Sequence, residues 1–343
     1  RLQGQAVQGG VGAVGQPPAD ERLAAMTLLL FRAGGPGAFV DGYSYDYRGN
    51  SRAPILNYGL DPTDPNGWEL AEIRLRPQYV DNDFDTGQIG KKLFQAQDAD
   101  VMDIQLHSIP GNDKLVAARY SGRILERHWF DEEEKALYEA LEKQVPHAYQ
   151  INIASRSIDG KSMIVTNRGP HDPGSFWLVK DGKLAKLGSR NPLINADQLA
   201  DVEYIRYKAR DGRVIPAYVT KPKGTGPFPL IVLPHGGPAA RDEWGFDWLV
   251  QFYAQRGYAV LQPNFRGSTG YGSAWYRKNG FQSWREAIGD VNDAGRWLVA
   301  QGIAAPDKLA IVGWSYGGYA ALQSQVLDPA LFKAVVAIAP VTD

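Results

Sequence analysis

Gly313-Trp314-Ser315-Tyr316-Gly317 follows the apolar run Lys308–Val312 and opens a helix-like stretch, Gly318–Leu327. A G-x-S-x-G string between a strand and a helix reads as a nucleophile elbow. The turn strains the serine backbone. Neighbouring chain packs so closely that side chains on either flank would collide, which accounts for glycine at 313 and 317. The hydroxyl is then held above the sheet, with the following N–H aimed at the same point in space. That is the geometry of acyl transfer, and it makes Ser315 the candidate nucleophile.

In an α/β-hydrolase the triad runs Ser, then Asp or Glu, then His along the chain. The five histidines, His107, His128, His147, His171 and His235, all precede Ser315, and the only acids after it are Asp328 and Asp343. The sequence is therefore expected to be a piece of a serine hydrolase whose triad Asp and His lie beyond its C-terminus. A histidine recruited from an unusual place is the alternative. On the first reading, residues 1–343 alone are inactive.

Two more segments bear on the elbow. His235-Gly236-Gly237-Pro238 follows the apolar strand Leu230–Pro234, where hydrolases place an oxyanion loop, and Asn264–Gly272 (NFRGSTGYG) follows the next, Ala259–Pro263. The latter lacks G-x-G-x-x-G spacing and an acid at the distance a dinucleotide loop needs. Bracing the loop by hydrogen bonding is the preferred role for His235 over that of a displaced base. The other histidines are scattered without metal-ligand spacing. Arg266 reads as a substrate contact or a structural salt bridge. Asp290 and Asp293, a turn apart, read as a solvated or packing face.

The grammar of the chain changes near Val202. Before it come short β-type runs: Trp68–Leu75, Lys114–Tyr120, Ile151–Ser155, Ser162–Thr166 and Ser175–Val179, with Asp159-Gly160 and Asp181-Gly182 as hairpin turns. Glu132–Gln144 is a charged helical segment among them. Many short strands with hairpin turns argue for an all-β domain, sandwich or propeller, and at roughly 40–50 residues per propeller blade this part would hold about four. After Val202 a hairpin and a Lys/Pro/Gly linker, Lys221–Phe228, lead to buried-type strands spaced by helices, the last two Leu309–Val312 and Ala334–Ala339. Trp284, Ile288, Val291, Gly295 and Leu298 mark one helix face. Alternation of this kind means a mostly parallel sheet. The expected divisions are a loop or frayed end at 1–20, which contains the Gly/Gln-rich Gly4–Ala19, a β domain at 21–202 and a hydrolase domain at 203–343.

Bulk properties narrow the function. With 37 basic and 38 acidic residues, a net charge of −1 and no long single-sign run, neither a nucleic-acid groove nor an anionic-membrane patch is expected. Absence of cysteine removes thiolate catalysis, disulfides and cysteine-ligated zinc, and places the chain in no particular redox compartment. Ala24–Phe31 is too short to span a membrane and reads as a buried strand or short helix. No cofactor and no metal are expected.

HGGP, NFRGSTGYG and GWSYGGY, in this order, resemble the prolyl oligopeptidase family of serine peptidases, specifically its acylaminoacyl-peptidase-like branch. The resemblance is motif-based over Val202–Asp343 and architectural before it. It implies that the β domain is part of a propeller capping an α/β-hydrolase domain, and that the chain is truncated at both ends. It also implies that Ser315 is the nucleophile and that the N–H groups of Gly237 and Tyr316 form the oxyanion hole, two donors about 3 Å from the developing charge. Asp343 matches a segment that is not the triad acid. A peptide substrate follows, with a carboxylesterase or a non-catalytic degenerate hydrolase that only binds as alternatives.

Overall fold

The computed structural model describes residues 114–272, 275 and 283–342, preceded by 88–96, 99–109 and the strand segments 30–32, 39–41, 57–58 and 69–74. The expectations for Gly4–Ala19, for most of Ala24–Phe31 and for Asp343 lie outside the described residues.

Ahead of Val202 the described strands form four sheets whose paired strands are antiparallel. The first is β1 (Leu30–Arg32), β2 (Phe39–Asp41) and β3 (Asn57–Tyr58); the second is β4 (Glu69–Arg74) and β5 (Gln88–Gln95). The third is β6 (Val101–Leu106), β7 (Leu115–Ser121) and β8 (Leu125–Trp129). The fourth is a meander of β9 (Asn152–Arg156), β10 (Ser162–Gly169), β11 (Asp172–Lys180) and β12 (Lys183–Ser189), in the order β12-β11-β10-β9. A four-stranded meander of sequence neighbours is the unit of a propeller blade. Its turns follow from the sequence. Asp181 (φ 49°) and Gly182 (φ 74°) both take the positive φ that a two-residue hairpin demands, and Asp residues tolerate it.

Helix α1 (Glu132–Gln144) lies between the third and fourth sheets in sequence. The Asp131 carboxylate accepts from the N–H groups of Glu133 (2.9 Å) and Glu134 (3.0 Å), and three glutamates in the first turn complement the helix dipole. Its Tyr138 and Leu141 pack with Ile151, Met163, Val165 and Val179 into one apolar cluster.

From Val202 onward a single six-stranded sheet forms, in the order β13 (Val202–Lys208), β14 (Val214–Thr220), β16 (Ala259–Pro263), β15 (Phe228–Val232), β17 (Ala304–Trp314), β18 (Ala334–Ile338). The β13–β14 and β14–β16 pairs are antiparallel; the other three are parallel. The segment Lys221–Phe228, expected as a linker ahead of the parallel strands, instead connects two strands of one sheet, because β14 pairs directly with β16. Helices α2 (Trp248–Ala254), α3 (Trp284–Ala300) and α4 (Tyr316–Leu327) return the chain between parallel strands. On α3, Ile288, Val291 and Leu298 are fully buried, each burial contributing roughly 1.5–3 kcal/mol. At Gly295 an added Cβ would sit 3.2 Å from Leu309, so the missing side chain sets how closely α3 approaches β17. The architecture is that of an α/β hydrolase preceded by propeller-type β-sheets.

Parallel strands share an orientation, so the loops after β15, β16 and β17 emerge at one edge of the sheet. The first two loops carry contacts to the β-rich part. Arg241 donates to Ser121 O (2.9 Å), Arg168 donates to Phe246 O (3.2 Å), and Asp100 N donates to Gly270 O (3.1 Å). The Gly272 N–H returns to the Asp100 carboxylate (3.1 Å). The β-rich part therefore packs at the edge where Ser315 emerges, the usual ligand-binding edge of an open α/β sheet.

Candidate active site

Ser315 directly follows β17 and caps α4, with φ 58° and ψ −120°. For a residue other than glycine this backbone region costs on the order of 1–3 kcal/mol. Ladder bonds on both sides hold it there: Ser315 N–H donates to Ile338 O (3.0 Å), and its carbonyl accepts from Tyr319 N (3.0 Å).

The flanking glycines are where the sequence made them necessary. A Cβ on Gly313 would lie 2.0 Å from Gly317 O, and one on Gly317 would lie 2.2 Å from Pro234 O. The second contact is made with the end of the segment that feeds the HGGP loop. The same loop returns against the elbow from the other side: a Cβ on Gly236 would meet Trp314 O at 3.3 Å and Ser315 Cβ at 3.6 Å. Two strings separated by almost eighty positions thus form one backbone-on-backbone contact. Gly237, at φ 115°, belongs to the same turn, and a Cβ on it would press the Ala239 N at 2.6 Å. Tyr316 is buried as the first residue of α4.

His235 holds this arrangement from beneath. Burial pushes its imidazole down to about 4, so the ring is neutral near pH 7 and carries one N–H. Nδ1 faces the Gly236 carbonyl at 2.7 Å, a contact that needs that proton; Nε2 therefore accepts from the Ser268 hydroxyl at 2.8 Å. The same hydroxyl also lies 2.7 Å from Phe265 O, a carbonyl that accepts from Ser268 N–H (3.0 Å) and Trp275 Nε1–H (3.2 Å). The His235 ring also stacks on Phe265 at 4.5 Å, and Phe265 on Tyr316 at 5.8 Å. Both ring nitrogens are committed, so His235 braces the loop and has none left for the Ser315 proton.

The other histidines serve local structure. His107 Nε2 lies 3.2 Å from Glu134, His128 stacks on Phe94 at 4.1 Å, and His171 Nε2 lies 2.6 Å from Asp201. His147 stacks on His171 at 5.7 Å. Among the described residues no cluster of His, Asp and Glu is disposed to hold a metal.

Arg266 resolves as a structural residue. Its Nε and Nη2 bond the fully buried Asp290 carboxylate (2.8 and 2.7 Å), its backbone N–H adds a third bond (3.0 Å), and Asp211 takes Nη1 (2.5 Å). Hydrogen bonding to Asp290 raises the Arg266 pKa, so the guanidinium stays charged. Of the two α3 acids read as a solvated or packing face, Asp290 is a buried anchor, and Asp293 pairs with Arg210 (2.8 Å).

Two residues just past the HGGP loop carry more than their sequence suggested. Arg241 ties the loop to Ser121 O and to the Tyr271 hydroxyl (2.8 Å), with its guanidinium 4.5 Å from the Tyr271 ring. Asp242 accepts from Gln262 (3.0 Å) through Oδ1, while Oδ2 is buried without a partner among the described residues. Burial, reinforced by the charge of Asp247, pushes its carboxyl up to about 7. Both lie within a few residues of HGGP, and that proximity is the only signal the sequence held for them.

The sequence model of the prolyl oligopeptidase family matches residues 244–343. Dipeptidyl aminopeptidase BIII of Pseudoxanthomonas mexicana is 35% identical over 199 residues, covering 55% of this chain and 29% of that protein. Dipeptidyl peptidase family member 6 of Caenorhabditis elegans is 32% identical over 213 residues, with the same coverage of 55% and 29%. The matched segment thus spans less than a third of either relative's length. Among solved structures, a puromycin-hydrolyzing peptidase of Mycobacterium tuberculosis superposes with a TM-score of 0.59 at 25% identity, over 82% of this chain and 42% of that one. Prolyl oligopeptidase B of Galerina marginata shares the fold, with a TM-score of 0.59 at 21% identity over 76% of this chain and 36% of that one. Over residues 244–343, then, the chain is similar in sequence to the prolyl oligopeptidase family.

Proposed function

We propose that the chain is part of a serine peptidase that hydrolyses short peptides through an acyl-enzyme on Ser315. Residues 203–343 form the N-terminal portion of the catalytic domain, and 21–202 part of the propeller that caps it. The observation that carries this reading is the contact between the two glycine strings, with the Gly236 Cβ position 3.6 Å from Ser315 Cβ. It brings the loop bearing the Gly237 N–H beside the nucleophile, while the Tyr316 N–H follows the nucleophile directly.

Ser315 Oγ attacks the scissile carbonyl, and the N–H groups of Gly237 and Tyr316 receive the negative charge that develops on its oxygen. Collapse of the tetrahedral adduct breaks the C–N bond and releases the amine, and water then hydrolyses the ester. The proton passes through a histidine oriented by an acid. With His235 committed to its loop, we assign that pair to sequence following residue 343, in the Ser, acid, His order of the fold. The packing of the β-rich part at the Ser315 edge supports a cap that admits only short chains.

The names of the two curated relatives make dipeptidyl substrates the first to try. The full-length protein is expected to release p-nitroaniline from dipeptidyl anilides, with Ser315→Ala lowering kcat by roughly 10⁶ while its Tm stays unchanged. A folded Ser315→Ala protein with wild-type turnover would end the proposal. Turnover of p-nitrophenyl esters with none of peptide anilides would move the reading to an esterase.

A further inference from the structure

The β-rich part holds a cavity of about 240 Å³ whose lining includes Arg119, Arg127, Arg168 and Arg190 and no carboxylate. It adjoins a second cavity, of about 220 Å³, walled by Arg241–Asp247; the two share Gln150 and Arg168. That second wall begins three residues past the HGGP loop, so the arginines line the side of the β-rich part that faces the hydrolase.

The charges are unevenly compensated. Arg119 makes a two-pronged pair with Asp103. Arg127 donates to Gln105 (3.2 Å) and to Ile151 O, and its guanidinium lies over the Tyr138 ring at 4.9 Å. Arg168 donates to a backbone carbonyl. Among the described residues neither Arg127, Arg168 nor Arg190 has a carboxylate within ion-pair distance. Arg127 is desolvated enough for burial to pull its pKa down. Glu142 and Asp103 act on Arg127 only from beyond ion-pair distance, so burial outweighs them, and an incoming anion offsets that cost.

The loop that presents Arg190 is built for it. The Arg190 stem crosses Gly174 so closely that a Cβ there would lie 2.9 Å from Arg190 Cδ, and Gly174 takes φ 126°. The nearby Asp172 carboxylate is consumed by Gly174 N–H (2.9 Å), the Asn167 amide (2.7 Å) and the Ser175 hydroxyl (2.5 Å). It fixes the loop and presents no acceptor to the cavity.

We propose that this cavity binds a carboxylate of the peptide, with Arg127, Arg168 and Arg190 as its recognition groups. The choice of a peptide as the bearer of the anion rests on the peptidase reading. A guanidinium matches a planar carboxylate with paired N–H donors. The carboxylate comes from an acidic side chain or from the C-terminus of the peptide.

Calorimetric titration of the full-length Ser315→Ala protein with four alanine-based pentapeptides tests this. The peptides are a neutral amide, the amide with one Glu, its Gln isostere, and the free acid. At least one carboxylate peptide is expected to bind about tenfold or more tighter than its neutral counterpart, the scale of a charge-assisted bond, and whichever arm gains identifies the source. Arg168→Gln combined with Arg190→Gln should reduce the advantage below about threefold. The exposed Arg190→Gln alone should reduce it in part, and serves if the double variant loses its fold. Equal affinity for all four peptides, no measurable binding of either carboxylate peptide, or an advantage that survives the variants would overturn the proposal. Wild-type turnover of the neutral amide is scored separately: turnover without carboxylate preference sinks the cavity alone, and preference without turnover sinks the peptidase reading alone.

Discussion

Gly317 meets the Pro234 carbonyl so closely that a Cβ would lie 2.2 Å from it, whereas Glu134 in the β-rich part is held by side chains, Arg156 at 2.7 Å and His107 at 3.2 Å. The contrast runs through both regions. Around Ser315 the decisive contacts are backbone against backbone: Gly313 on Gly317, Gly317 on Pro234, Gly236 on Trp314. Ahead of Val202 they are polar networks joining separate elements, Asp103 with Arg119, Glu134 with Arg156, and Asp172 with Asn167 and Ser175. A backbone contact admits one residue type and leaves a fixed string in the sequence. A side-chain network can be built from many pairs and leaves none.

The contrast breaks first at the two buried ion pairs. Arg266→Met strands the Asp290 carboxylate and should cost about 3–5 kcal/mol, as should Arg156→Met for Glu134, with His107 softening the loss. Only Arg266→Met should also lower kcat, because Arg266 anchors the loop whose Ser268 holds His235. Urea titration and steady-state kinetics on both full-length variants decide it; an equal loss of kcat would erase the distinction between the two regions.

Next in size is Gly237→Val. At φ 115° and with Ala239 N in the way, a branched side chain must displace the loop, and removing one oxyanion donor costs roughly 10²–10³ in kcat. A folded variant with near-wild-type kcat would remove Gly237 from the oxyanion hole.

Legibility followed the same division. The elbow, the HGGP loop, the α3 face and the Asp181-Gly182 turn were readable because each is a local demand on residue type. Helix α1 was readable from its charge pattern. The true place of Lys221–Phe228 was not, since whether a loop leaves a sheet or stays within it depends on β14 pairing with β16, some forty residues on. Arg241 and Asp242 were missed for a related reason: their roles arise from Ser121, Tyr271 and Gln262, which only the fold brings near.

The smallest effect concerns Asp242. Its carboxyl titrates near 3.8 when unfolded and about 7 when folded. Between those values the folded state binds more protons than the unfolded one, so stability falls as pH rises from about 4 to about 7 and then levels. The slope is at most about 1.4 kcal/mol per pH unit. Asp242→Asn should flatten the dependence of Tm on pH within that window and leave the protein more stable than wild type above it. An unchanged slope would show that Asp242 is solvated and that the packing around Gln262 is looser than described.

The most direct test of the account is covalent. The full-length protein is treated with a fluorophosphonate, digested, and mapped by mass spectrometry. A single adduct on the peptide containing Ser315, abolished by Ser315→Ala and strongly reduced by Gly237→Val, is the result expected of an elbow joined to an oxyanion loop. A protein that cleaves peptides while its adduct falls on another residue, or forms none, would contradict it.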